Sequence, residues 1–100
     1  MTNEEAQAAL DLLRKSVDEV DLRILELLNQ RAKVVEKIGD IKKVAALPIY
    51  EPKREDMVFQ NVLSGNGGPL SAGAVRRLFE RIIDEMRTLQ RERMAKEKAQ

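Results

Sequence analysis

The sequence predicts an all-α domain of three helices, long, short and medium, that pairs with a second copy of itself. Three observations carry this. First, apolar residues recur at Leu10, Leu13, Val17, Val20, Ile24 and Leu27, then at Val34, Ile38 and Ile41, with Arg31 filling the one missing place. The steps alternate between three and four residues without a slip, which is the spacing of a buried helical seam. Second, strong helix breakers are confined to two stretches, "AALPIYEP" and "SGNGGPLS". Third, the first helix is too long for the chain. At 1.5 Å per residue it spans about 60 Å, whereas a compact domain of this size has a radius of gyration of about 13 Å. Its seam would lie bare in a monomer, so the long helices of two chains should pack together as a homodimer.

Each element has its own local logic. From Asn3 to about Val44 there is no proline, and Gly39 is the only glycine. Thr2 or Asn3 can cap this helix, with Glu4 and Glu5 in the first turn, where the helix dipole favours acids. Pro48 and Pro52 oppose its continuation. A second helix should start near Glu51 or Pro52 and end about Leu63, because proline suits a first turn. Gly65, Gly67 and Gly68 read as stop and turn residues. "GNGG" lacks the lysine and the preceding strand of a phosphate-binding loop. Ser71 looks like the cap of a third helix from about Ala72, with an apolar face of Leu78, Phe79, Ile82, Ile83, Met86 and Leu89. The charged end from about residue 93 reads as a fraying tail. All 100 residues form one domain.

Composition excludes whole classes of chemistry. The chain has no cysteine and no histidine, so it offers no disulfide, thiol nucleophile, Cys/His metal site or imidazole base. Aromatic residues make up 3% and net charge is +1. There is neither a base-stacking platform nor a strong pull toward nucleic acid. The pair Arg76 and Arg77, together with the charged tail, is the one feature that suggests nucleic-acid binding. No apolar run reaches membrane-spanning length, and the acidic start "MTNEEAQ" is unlike a signal peptide. The expectation is a cytoplasmic protein with no metal, no cofactor and no membrane or nucleic-acid partner.

Arg31 is the most informative residue. A guanidinium in an apolar seam needs a counter-charge, supplied by the protein or by an anionic ligand. Lys42 lies eleven residues on, which brings it within about 20° of Arg31 around the helix and about 16 Å along it. Two long cationic side chains so placed can grip a small dianion. Arg14 points about 100° away, so it is either an ordinary solvated charge or, in a dimer, a cation within reach of the partner's pocket. In the second helix Glu51, Arg54 and Glu55 share a face, as a surface ion-pair cluster or as the lining of a polar site. Gln90 extends the apolar face one turn past Met86 and can hydrogen-bond a ligand oxygen without carrying charge. Cations, carboxylates and an amide, with no nucleophile, suit a reaction in which an anion is held in a reactive shape and developing charge is stabilised.

From about Leu12 to Gln90 the chain resembles the all-helical (AroQ-type) chorismate mutases. The resemblance is strongest in "LRKSVDEVDLRILELLNQRAKVVEKIGDIKK", followed by "PIYEPKRE" and "LFERIIDEMRTLQ". It implies an intertwined dimer with two active sites that rearranges chorismate to prephenate, a unimolecular pericyclic step without a cofactor, in phenylalanine and tyrosine biosynthesis. By this resemblance Arg31 binds a substrate carboxylate, and Arg14 binds one in the other subunit's site. Lys42 contacts the carboxylate and the breaking ether oxygen, which Gln90 meets from the opposite side. Glu55 and Glu51 hold the substrate hydroxyl, with Arg54 beside them. The family often has Asp at the place of Glu51, and can have at the place of Met86 a serine that touches a carboxylate. Lys42 must stay protonated, so activity should decline at high pH. An isochorismate-pyruvate lyase of the same fold and a non-catalytic helical dimerisation or regulatory module are the alternative readings.

Overall fold

A computed structural model describes the backbone of residues 1–99 and the side chains of residues 1–96. Three helices follow one another: α1, Asn3–Val44; α2, Pro52–Gly65; and α3, Ala72–Ala99. No strand occurs among the described residues. The expected boundaries hold to within two residues, apart from the tail, where α3 runs helical past residue 93.

The capping chemistry is local. The Thr2 hydroxyl accepts a hydrogen bond from the Glu5 amide at 3.1 Å, and the Ser71 hydroxyl accepts one from the Ala74 amide at 3.1 Å. Each satisfies an amide that the first turn leaves orphaned. Pro52 opens α2, where its missing N–H costs nothing. The end of α1 closes as a Schellman motif. The Leu47 amide reaches back to the Lys42 carbonyl at 2.7 Å, and the Ala46 amide to the Lys43 carbonyl at 3.3 Å. That places Ala46 at φ 56°, a left-handed conformation that glycine adopts more cheaply. In the α2–α3 loop the Asn66 side chain donates to the Leu70 carbonyl at 2.7 Å and accepts from the Gly68 amide at 3.0 Å.

The chain divides into two units, Met1–Lys33 and Val34–Gln100. The first is helix alone, and Leu12, Leu13, Val17, Val20, Ile24 and Leu27 all lie exposed on it. The second holds the end of α1 with α2 and α3. Its apolar centre is Val75 and Ile83, with Phe59, Phe79, Ile82 and Met86 half-buried around them. Leu78, expected on the apolar face, is exposed. Arg76 lies over the Phe59 ring at 4.5 Å, a cation–π contact that ties α3 to α2. No helix of the described residues is long and apolar enough to cross a membrane.

Candidate functional site

Among the described residues, the buried polar and charged side chains are Lys42 and Gln90. Burial of an ammonium or an amide is costly unless partners satisfy it, and each of these has found some. Lys42 comes off the last turn of α1. Its Nζ donates to the Ile49 carbonyl at 2.9 Å and pairs with Glu51 Oε2 at 2.8 Å. One ammonium thus pins the linker that follows α1 and holds the residue that precedes α2. Gln90 comes from α3. Its Nε2 donates to the Val35 carbonyl at 3.4 Å, a long bond that leaves the amide weakly committed.

Gly39 lies beside Gln90. A Cβ built on Gly39 would lie 3.5 Å from Gln90 Nε2 and 3.6 Å from its Cγ. The single glycine of α1 is therefore the place where the α3 amide lies against the helix. One turn beyond Gln90, Arg93 pairs with Glu36 and, at 3.3 Å, with Asp40. These two carboxylates flank Gly39 on α1, so the guanidinium holds α3 against α1 beside Gln90.

The two carboxylates at the start of α2 separate. Glu51 goes to Lys42, as above. Glu55, half-buried, faces α3, where Arg87 Nε stands 3.6 Å from its Oε2. Arg87 also pairs with Asp84 at 3.5 Å and lies over the Tyr50 ring at 5.3 Å. Arg54, between the two acids in sequence, is exposed. Met86 is half-buried on α3. In the N-terminal unit, Arg14 is exposed and pairs with Asp11 at 3.4 Å on its own helix, and Arg31 is half-buried.

The second unit therefore pairs Lys42 with Glu51, Arg87 with Glu55 and Gln90 with the Val35 carbonyl, while Arg14 and Arg31 belong to the first. Sequence reasoning missed Arg87 and Arg93. Arg87 had a readable signal, since Ile83, Arg87, Gln90 and Met94 continue one helical row in steps of four, three and four. Arg93 had none, because its partners lie 57 and 53 residues away. Chemically, the ammonium and the amide are each buried donors, suited to meeting negative charge as it forms. No cluster of acidic residues able to hold a metal ion occurs among the described residues.

Comparison with known proteins gives a consistent picture. The family profile described as chorismate mutase type II matches residues 13–91, a span that contains every site residue considered above from Arg14 to Gln90. A bifunctional chorismate mutase/prephenate dehydratase of Aquifex aeolicus is 40% identical over 83 residues, covering 79% of this chain and 23% of that protein. A chorismate mutase of Methanocaldococcus jannaschii is 32% identical over 50 residues, half of each chain. A solved chorismate mutase (form II) of Thermus thermophilus superposes with a TM-score of 0.81 at 35% identity, covering 83% of this chain and 94% of that one. The chain spans under a quarter of the length of the first curated relatives it matches.

Proposed function

This chain belongs to the chorismate mutase type II family, and on that premise we propose that it rearranges chorismate to prephenate. The observation that carries the reading is that, among the described residues, the buried polar side chains are Lys42 and Gln90; in this proposal they are the donors to the ether oxygen. In this step the ether C–O bond breaks as a C–C bond forms within one molecule. Nothing is added or lost, and no proton acceptor is required. Negative charge grows on the departing oxygen, and donors already in place stabilise it without reorganisation.

Lys42 supplies one donor and a positive charge. Gln90 supplies a neutral donor, for which its long bond to the Val35 carbonyl is readily exchanged. Arg31 and Lys42 hold a substrate carboxylate, and Arg14 of a second copy holds a carboxylate in this copy's site. Together they select the compact, reactive conformer. Glu55 and Glu51 accept the substrate hydroxyl, with Arg54 beside them. At the carboxylate that a serine can touch in the family, Met86 offers apolar contact in place of a hydrogen bond.

The homodimer belongs to the same proposal. The exposed apolar row of α1 supports it, because an isolated face of this kind is unstable in water. Incubation with chorismate and identification of the product tests the activity. Prephenate is expected. Unchanged chorismate, or salicylate with pyruvate, would overturn the assignment.

A further inference from the structure

We infer that Arg87 is a positioning residue of this site, holding the Glu55 carboxylate and the Tyr50 linker in one arrangement; the inference rests on the proposed activity. Arg87 is reached from α3, one turn before Gln90. Its side chain is 28% exposed and that of Glu55 is 22% exposed, so the pair is mostly screened from solvent and couples more strongly than a surface pair. Arg87 Nε is buried and has no hydrogen-bond partner, yet it stands 3.6 Å from Glu55 Oε2. A buried donor left in this state is costly. Its nearest remedy is the Glu55 carboxylate, a few tenths of an ångström beyond bonding distance.

The geometry links two parts of the site. The guanidinium lies over Tyr50. The carbonyl of the preceding residue, Ile49, accepts the hydrogen bond from Lys42 Nζ. Glu51, the next residue, pairs with that same ammonium. Arg87 therefore touches Glu55 directly and braces the segment on which Lys42 is seated. Each of the two carboxylates has its own cation, Lys42 for Glu51 and Arg87 for Glu55. Arg87 does not touch the reacting atoms.

A kinetic double-mutant cycle with Arg87→Met and Glu55→Gln tests this on the full chain with chorismate. Arg87→Met keeps length and apolar contact while removing charge. It should lower kcat/KM on the order of tenfold to a hundredfold, the scale of a misplaced contact. Most of the loss should appear in KM, because Glu55 grips the hydroxyl in ground and transition states alike. In the Glu55→Gln background the same substitution should cost less than about twofold, since the group it positions is gone. Arg87→Lys should recover part of the loss. Helical content and Tm are followed for every variant; a purely structural arginine would give additive losses that track Tm. Additive losses, or an Arg87→Met chain as active as wild type, would overturn the positioning role alone. A wild-type chain that leaves chorismate unchanged would overturn the activity and this role with it.

Discussion

Arg31 occupies a seam position where leucine would normally stand, and this gives the sharpest single-residue test. Arg31→Leu restores the apolar row, so helicity should be kept and stability should hold or rise. Turnover of chorismate should nevertheless fall by about a hundredfold or more if the guanidinium holds a substrate carboxylate. Full turnover in that variant would remove Arg31 from the site. Lys42 makes the second test. Lys42→Met should lower kcat by about a hundredfold to a thousandfold, the scale seen when one donor to a developing oxyanion is lost. It also frees the Ile49 carbonyl and Glu51, so circular dichroism must show the variant folded. The sequence singled out Lys42 by its angle to Arg31 and Gln90 by its extending an apolar face, and both side chains are buried. What stayed hidden was their satisfaction. Lys42 bonds a carbonyl seven residues on, and Gln90 one fifty-five residues back, and no periodicity encodes either.

The helices themselves were almost wholly legible, because their ends are written in short-range chemistry: Thr2, Pro52, Ser71 and the loop glycines. Pairing between helices was not. Glu51, Arg54 and Glu55 share a face by spacing, yet the two acids find cations on α1 and α3 while Arg54 stays exposed. Tertiary packing outranks i,i+4 attraction, which is worth only about 0.2–0.5 kcal/mol. Two backbone positions give tests at this scale. Ala46 sits in the left-handed region at the Schellman turn, so Ala46→Gly should raise stability by about 1 kcal/mol, read as a higher denaturation midpoint. Gly39 costs helix stability relative to alanine by roughly 0.5–1 kcal/mol. A Cβ there would make ordinary contact with Gln90 at 3.5 Å, so Gly39→Ala should be folded and at least as stable as wild type. Gly39→Leu should push Gln90 aside, lowering kcat far more than it lowers the midpoint.

For the whole molecule, subunit exchange is the decisive observable. If Arg14 serves the partner's site, Arg14→Ala and Arg31→Ala chains should each be nearly inactive alone. Unfolded together and refolded, they should recover roughly a quarter of wild-type activity, since random pairing makes half the dimers mixed and each of those carries one intact site. No recovery, with dimers verified by sedimentation, would place both arginines in the same subunit's pocket. The pairing pattern has a consequence for how an anion is captured. Net charge is +1, and Arg14, Lys42, Arg87 and Arg93 each already face a carboxylate of their own chain. Such a molecule projects little long-range field, so it cannot draw a dianion in from a distance. On the proposed activity, arrival at Lys42 would instead be an exchange of counter-ions: the incoming carboxylate would take the ammonium from Glu51, its partner in the free chain, and release Glu51 toward the hydroxyl. Added salt should therefore change the rate of substrate association only weakly, in contrast to the steep ionic-strength dependence of an enzyme that steers its substrate electrostatically.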